Sequence, residues 1–253
     1  MQRPALCHSL PILCSPFPLP YSLLPLACLL ALLVQSHLAQ AAEPPATAAA
    51  QPVALLVGQD AASGELAGWK AFSEDPQARP GDVWKLAADG VLACRGTPKG
   101  YLATVKSYGD FTLRLKWRWP AGKPGKGGVL IRMTGPDKIW PKSLEPQLNA
   151  GEAGDFWGLD GFALAGPAER LKTIDKSPFG KLTNLRKLKD LEKPAGEWNQ
   201  YEIVAAGGTV SLRVNGELVN QATDCETAAG KICLTAEGSE IHFRDIALLP
   251  GDK

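Results

Sequence analysis

The chain has 253 residues and a formal net charge of +1, with 45% hydrophobic and 21% charged residues. A chain so close to neutral offers no basic surface for nucleic acid and no polybasic patch for a membrane. Once an N-terminal leader is set aside, roughly 200 residues remain, which is enough for one sizeable hydrophobic core.

Residues 1–41 have the features of a signal peptide. Residues 21–34 form an apolar run too short to span a bilayer comfortably, and residues 39–41 (AQA) are the small residues that a signal peptidase needs. We therefore expect an exported protein, periplasmic or extracellular, with no stable membrane insertion after cleavage. Residues 42–54, rich in Ala and Pro, predict a linker, and residues 55–253 a single domain.

Three cysteines remain after the leader: Cys94, Cys225 and Cys233. Export permits a bridge between Cys225 and Cys233, but an odd number without a framework favours buried free thiols. His242 is the only histidine after the leader, so the sequence predicts no zinc site. Calcium stays open, because its oxygen ligands leave little trace without a loop motif.

Short apolar segments between Gly- and Pro-containing turns predict many strands and little helix. In residues 110–119, apolar side chains alternate with Thr112 and three basic residues, so the apolar face would enter the core. The basic face would meet water or a ligand groove. Asp89-Gly90 and Asn215-Gly216 predict tight turns. The other predicted strands are residues 83–86, 91–94, 129–133, 143–148, 198–205, 209–214, 217–219, 231–235 and 240–249.

Residues 180–191 are basic and less periodic, and such charge runs favour a solvated surface insert. The strands on either side of it predict an all-β protein, an antiparallel β-sandwich or jelly roll.

Charged, amide and indole side chains concentrate between residues 127 and 162. If residues 143–148 are extended, Glu145 and Gln147 share one face while the neighbouring leucines share the other. A carboxylate and an amide aimed together predict a polar pocket. Other side chains expected to line it are Arg132, Trp140, Lys142, Asp155 and Trp157.

Several motifs occur in a fixed order along residues 55–250. They are Gly68-Trp69, WKL…DGVL (84–92), YGDF (108–111), GPDKIWPKSLEPQL (135–148), GDFW (154–157), GEWNQYEI (196–203), VNG (214–216) and FRDI (243–246). Together they resemble the 3-keto-disaccharide hydrolase family. The resemblance implies a concanavalin A-like jelly roll in an exported bacterial protein. It also implies a carbohydrate substrate, a glycoside whose ring has been oxidised to a ketone, and an upstream sugar oxidoreductase that makes it.

The chain departs from the family pattern at Pro146, where members carry an ordinary residue between the glutamate and the glutamine. Proline has no N–H for a ladder hydrogen bond, so we expect an edge strand or a bulge there. LTAEG at 234–238 and Asp245 are further departures.

A ring ketone two carbons from the anomeric centre acidifies the C–H bond between them, so a base could start elimination of the aglycone. Glu145 is the first candidate for that base; the alternative is a surface glutamate paired with Lys142. Asp155 would be a second acid or a ligand of sugar hydroxyls, or it would cap a turn. Glu237 is a weaker carboxylate candidate.

Six residues are expected to bind substrate: Arg132, Trp140, Lys142, Gln147, Trp157 and His242. Arg132 would polarise the ketone or pair with Glu145. The tryptophans would stack on a sugar ring; the alternative for Trp157 is that it is buried in the hydrophobic core.

Three functions remain from the sequence: an enzyme that cleaves 3-keto-glycosides, a non-catalytic carbohydrate-binding module, and an exported interaction domain. The retained polar residues favour the first over the third. We expect no organic cofactor, because no phosphate-cradling glycine loop is present.

Overall fold

A computed structural model of the protein describes residues 51–251; the predicted signal peptide and most of the predicted linker lie outside the described residues. The described residues form sixteen strands, one short helix and one 3-10 turn. The elements are β1 (Val53–Ala54), β2 (Trp69–Ser73), α1 (Pro80–Val83), β3 (Trp84–Leu86), β4 (Leu92–Cys94), β5 (Gly100–Thr104), β6 (Phe111–Arg118), β7 (Val129–Met133), β8 (Ser143–Pro146), β9 (Phe156–Leu159), the 3-10 turn (Ala168–Arg170), β10 (Leu171–Ile174), β11 (Leu182–Leu185), β12 (Asn199–Ala206), β13 (Thr209–Val214), β14 (Glu217–Ala222), β15 (Lys231–Ala236) and β16 (Ile241–Pro250).

One antiparallel sheet, here called sheet A, has the order β14-β13-β12-β6-β16-β4-β3, and β1 also pairs with β16. Strand β6 pairs with β12 on one side and β16 on the other. Its residues Phe111, Leu113, Leu115 and Trp117 are at most 1% exposed. The alternation predicted for this strand is confirmed, since residues two apart in a strand share a face.

The second antiparallel sheet, sheet B, has the order β10-β11-β9-β8-β7-β15-β5-β2. Strand β15, near the end of the chain, lies between β7 and β5. This order brings the residues that follow β15 beside a surface built by β7, β8 and β9. No local sequence pattern shows that neighbourhood.

The two sheets pack face to face as a β-sandwich, which confirms the predicted fold class. Leu102 of β5 belongs to the core between the sheets, whereas its neighbours Tyr101 and Ala103 belong to a second cluster. Because neighbouring residues of a strand point to opposite faces, this second cluster lies on the outer face of sheet B. We call it the outer cluster; its buried members are Tyr101, Ala103, Leu130, Met133, Leu159 and Cys233.

Two features of the sequence-based organisation need correction. The predicted linker was extended to residue 54, but Val53 and Ala54 pair with Leu248 and Ala247 of β16. The predicted surface insert at 180–191 contains β11, which lies between β9 and β10. A strand beside β9 satisfies backbone groups that would otherwise form an open edge, so this basic segment enters the sheet.

The expectation that Pro146 requires an edge strand or a bulge is wrong. Strand β8 lies inside sheet B, and Pro146 opposes Phe156 of β9. On its other side β8 faces β7, where Ile131 pairs with Leu144 and Gly128 forms a bridge with Gln147. These two pairs share one register, so there is no bulge at Pro146. The missing N–H is accommodated by a gap in the ladder to β7.

The three cysteines after the leader are free and buried, as favoured from the sequence. Burial raises the pKa of the Cys94 thiol to about 12 and that of Cys225 to about 11, which keeps both as thiols. Between residues 51 and 251, no helix is long and apolar enough to cross a membrane. Over the same range, no group of three His, Cys, Asp or Glu residues could hold a metal ion.

Candidate active site

A pocket of about 210 Å³ opens on the outer face of sheet B. Its lining residues are Trp140, Glu145, Gln147, Asn149, Trp157, Leu159, Phe179, Leu182 and Glu237. Pockets for drug-sized ligands begin at roughly 300 Å³, so this one suits one or two rings and not a long oligosaccharide.

Three further pockets in the described part of the chain lie along β2, β3 and β4. Their acidic groups already have partners: Asp60 accepts from Ser63, Asp82 pairs with Arg79, and Glu240 pairs with His242. The pocket on sheet B differs because each of its two carboxylates has a buried Oε1 atom without a hydrogen-bond partner among the described residues.

Strand β8 positions two of the polar side chains. Leu144 and Leu148 are fully buried in the core between the sheets, while Glu145 and Gln147 line the pocket on the opposite face. The alternation expected for residues 143–148 is therefore confirmed. Glu145 is 5% exposed, which rules out the alternative of a surface glutamate.

Glu145 lies directly over Gly128. A β-carbon placed on Gly128 would come within 1.9 Å of Glu145 Oε1. The glycine is itself held in place, because its N–H donates to Thr235 Oγ1 at 2.6 Å and the Thr235 hydroxyl donates to its carbonyl at 3.1 Å. The close approach of β7 and β15 thus makes the space that the carboxylate occupies.

Glu237 follows β15 and lines the same pocket as Glu145. The Oε1 atoms of both residues are buried and have no hydrogen-bond partner among the described residues. A buried carboxylate oxygen without a donor costs free energy, so its retention at this position suggests a functional site.

Burial is the main cause of the raised pKa of both carboxyl groups, and the charge of Glu237 adds to it at Glu145. Burial and then the charge of Glu237 raise the pKa of Glu145 well above its ordinary value. Burial raises the pKa of Glu237 to about 7, and the nearby Thr235 side chain, Lys126 and Lys99 oppose that rise. No cation opposes the effect of burial at Glu145, whereas Lys126 and Lys99 oppose it at Glu237, so Glu145 is the carboxyl that burial favours more strongly in its protonated form.

Aromatic and aliphatic side chains form the other end of the pocket. Trp157 opposes Glu145 across the β8–β9 ladder, and Leu159 opposes Ser143. The Trp140 and Phe179 rings meet edge to face, with centroids 6.1 Å apart. The predicted Trp140 and Trp157 therefore do lie beside Glu145, and Trp157 is half-buried at the surface of the sheet, not in the core between the sheets.

Arg132 does not reach the pocket, and its expected contact with a ketone or with Glu145 is not supported. Its side chain is 0% exposed and donates to the Gly109 carbonyl, the Glu226 carbonyl and Asp110 Oδ1. Its φ of +50° accompanies a register irregularity between β15 and β7. A bulge re-aims a side chain, which is why strand alternation failed to place this residue.

Asp155 and Lys142 have structural partners outside the pocket lining. Asp155 Oδ1 accepts from the Lys187 N–H at 2.9 Å and Oδ2 from Asn184 Nδ2 at 3.4 Å, so it braces a loop. Lys142 Nζ lies 2.8 Å from Glu226 Oε1. Asp155 therefore braces residues 184–187 and is not among the pocket-lining residues, so its contacts correspond neither to the expected acid or sugar ligand nor to the alternative of a turn cap.

His242 belongs to sheet A and not to the pocket. It opposes Arg118 of β6, whose Nε lies 3.4 Å from His242 Nδ1, and its Nε2 lies 2.9 Å from Glu240 Oε1. The histidine therefore takes part in a polar network on the outer face of the other sheet.

Sequence reasoning underrated or missed five lining residues: Asn149, Leu159, Phe179, Leu182 and Glu237. Glu237 was only a weaker carboxylate candidate. The sequence around it does not indicate that it lies near Glu145, because the two residues are brought together by the pairing of β15 with β7. Asn149 lies two residues beyond Gln147, so extending the alternation one step would have found it.

The protein is similar in structure to a candidate glycosyl hydrolase from Parabacteroides distasonis ATCC 8503, with 22% identity, a TM-score of 0.51, and 73% of this chain and 89% of that one covered. It is also similar to the β-glucanase of Bacillus licheniformis, with 13% identity, a TM-score of 0.51, and 81% and 100% covered. These likenesses establish a concanavalin-like β-sandwich fold. No curated protein matches the chain by sequence.

The family assignment rests on a match to a family model. Residues 59–249 match the model of the 3-keto-alpha-glucoside-1,2-lyase-like domain, which spans nearly all the described strands. The chain belongs to the 3-keto-alpha-glucoside-1,2-lyase-like domain family.

Proposed function

We propose that the protein is an exported enzyme that cleaves the glycosidic bond of 3-keto-glycosides, with Glu237 as base and Glu145 as acid. The observation that carries this proposal is the buried carboxylate pair in one pocket, without a cation partner. Two carboxyl groups in one pocket, each with a raised pKa, can supply both partners of acid–base catalysis.

The first step is an elimination. Ionised Glu237 removes the proton from C2, between the ketone at C3 and the anomeric carbon. The electrons of that C–H bond form a C1–C2 double bond, the C1–oxygen bond breaks, and the leaving oxygen takes the proton of Glu145. The products are an unsaturated keto-sugar and the free alcohol.

The same pair can complete a hydrolysis. After elimination Glu237 is protonated and Glu145 is ionised, so Glu145 can activate a water that adds to C1 while Glu237 returns a proton to C2. This second step restores the starting protonation state. The sequence-based choice of Glu145 as the first base is thus reversed in the proposal, because Lys126 and Lys99 favour the ionised form of Glu237, whereas no cation opposes the raised pKa of Glu145.

The remaining polar residues would hold the sugar. Gln147 and Asn149 line the pocket beside the carboxylates, and an amide can donate to one hydroxyl and accept from another. Trp157, level with Glu145, would stack against the ring. An oxidoreductase acting on the C3 hydroxyl would have to supply the substrate, in the same exported compartment.

Leaving-group dependence tests the two roles. We would measure release of 4-nitrophenol and of methanol from the corresponding 3-keto-glucosides and from the unoxidised glucosides. Glu237→Gln should lose both keto-substrate activities by about 10²- to 10⁴-fold. Glu145→Gln should lose methyl-glycoside cleavage by a similar factor but retain much of the nitrophenyl activity, since nitrophenolate leaves without an acid.

Glu202→Gln, on the outer face of sheet A, is the matched control and should keep wild-type rates. Equal losses for both substrates in Glu145→Gln would contradict its role as the acid. Wild-type protein that binds sugar saturably but releases neither alcohol would be a carbohydrate-binding module instead of an enzyme.

A further inference from the structure

The pocket changes chemical character over a short distance. Its polar end contains Glu145, Gln147 and Glu237, and its apolar end contains Leu159 and Leu182. Strand β11, which carries Leu182, is two strands from β8, or roughly 10 Å across the sheet. This is comparable to the span of a sugar ring joined to a second ring.

Two aromatic residues form the rim of the apolar end. Trp140 precedes β8 and Phe179 precedes β11, their rings meet edge to face, and both line the same pocket as Leu182 and Leu159. Phe179 is 40% exposed, although an apolar ring of this size is normally covered. Both aromatic rings therefore offer surface to whatever occupies this end.

The rim loops are held in place by specific contacts. Lys138 Nζ lies 2.6 Å from Asp160 Oδ2, and Tyr101 donates to Asp137 Oδ1 at 2.7 Å. On the other loop, the Ser177 hydroxyl donates to the Gly180 carbonyl at 2.7 Å. The two aromatic rings are preorganised by these contacts, which reduces the entropy that a ligand must overcome.

The backbone of Trp140 gives an independent sign of function. Its φ is +57°, in the left-handed region that bulky residues rarely adopt. Such a conformation is strained, and strained residues of this kind cluster at active sites and ligand clamps. The surrounding fold thus maintains Trp140 in a strained position at the pocket mouth.

We propose that Trp140, Phe179, Leu159 and Leu182 form a subsite for an apolar, planar leaving group, so that preferred substrates are glycosides of aromatic alcohols and not disaccharides. This inference rests on the proposed function, because it assigns the two ends of one substrate. A second sugar would bury hydroxyl groups against four largely apolar side chains, and a buried hydroxyl without a partner is unfavourable. An aromatic ring gains both apolar contact and edge-to-face packing there.

Binding of unoxidised glucosides tests the subsite without any turnover. We would compare benzyl glucoside, methyl glucoside and a glucosyl-glucose disaccharide by titration calorimetry. Benzyl glucoside should bind about 10-fold or more tightly than either other ligand, and Phe179→Ala should remove most of that preference. The control Leu188→Ala removes another exposed apolar side chain, 57% exposed and outside the pocket lining, and should leave the preference intact.

Cleavage of the matching 3-keto-glycosides gives the second readout. Benzyl alcohol is no better a leaving group than a sugar hydroxyl, so faster benzyl cleavage would report binding and not easier chemistry. We expect kcat/KM for the benzyl substrate to exceed that for the keto-disaccharide by about 10-fold, with Phe179→Ala raising KM for the benzyl substrate alone.

The two proposals fail differently. Equal binding of the three glucosides, or an equal loss for all of them in Phe179→Ala, would overturn the subsite even if keto-glycosides are cleaved. Absence of cleavage with a retained benzyl preference would overturn the proposed function and leave the subsite standing. Preferred cleavage of the keto-disaccharide would support the function and refute the subsite.

Discussion

The outer faces of the two sheets treat charge in opposite ways. On sheet A, Arg114 Nε donates to Glu202 at 2.7 Å and Lys116 Nζ lies 2.9 Å from Asp245, with all four side chains partly exposed. On sheet B, the carboxylates of the pocket are turned inward, and their Oε1 atoms have no partner among the described residues. Exposed ion pairs contribute little to folding stability, whereas unpaired buried carboxylates reduce it. The outer face of sheet B is therefore less stable than it could be, and this is the face that carries the candidate active site.

The basic side chains of β6 lie on the outer face of sheet A and not in the pocket of sheet B. The basic face of β6 was expected to meet water or a ligand groove, and it meets water and acidic neighbours on sheet A. Arg118 and Arg244 also lie over the Trp198 ring, at 4.5 and 4.2 Å from its centroid. Cation–π contacts of this kind are a structural use of arginine at a surface.

Filling the space under Glu145 should produce the largest effect. Gly128→Ala places a methyl group where the Glu145 carboxylate now lies, so the carboxylate must move by an ångström or more. We expect kcat for 3-keto-glucoside cleavage to fall by about 100-fold, with a loss of about 1–3 kcal/mol in the free energy of unfolding. Steady-state kinetics and denaturant unfolding measure the two effects.

Gly127→Ala is the matched control, because its added β-carbon meets Trp119 and Ile241 only at ordinary contact distances of 3.4 and 3.6 Å. This variant should keep near wild-type kcat. Wild-type activity in Gly128→Ala would show that the position of Glu145 is not critical.

Titration of the carboxylate pair should produce the next largest effect. Folding raises the pKa of both groups above the ordinary glutamate value of about 4.5, and that of Glu237 to about 7. The folded protein then binds more protons than the unfolded chain, so this contribution to stability is fully present below about pH 4.5 and is lost as pH rises through 7.

Glu145→Gln should remove much of this pH dependence. The variant should match the wild type near pH 4.5 and exceed its free energy of unfolding by a few kcal/mol at pH 8. Urea unfolding at a series of pH values measures the difference, and parallel curves for the two proteins would contradict an unpaired buried carboxylate at this position.

Breaking a pair on sheet A should produce the smallest effect. Arg114→Ala removes the 2.7 Å contact with Glu202 at a partly exposed site, so we expect a loss of about 0.2–1 kcal/mol. The loss should shrink at high salt because exposed charges are screened, and cleavage rates should not change. A loss above about 2 kcal/mol in the free energy of unfolding would contradict the view that the ion pairs of sheet A contribute little to stability.

Strand alternation and turn chemistry determined much of the architecture. The period-two pattern of residues 111–117 predicted which side chains are buried, since side-chain direction in a strand is a local property. The same rule placed Glu145 and Gln147 on one face. It failed for Arg132, whose positive φ interrupts the strand geometry, and for the basic segment of β11, where pairing with β9 overrode composition.

The sequence by itself determined the fold class, the family motifs and half of the carboxylate pair. Only the tertiary structure decided which second carboxylate joins Glu145, because Glu237 reaches it through the pairing of β15 with β7 and Asp155 is turned toward Lys187 and Asn184. Sheet order is a long-range property that no local pattern encodes. The acidity of the pair follows from that order, since burial and proximity, not residue type, raise the two pKa values.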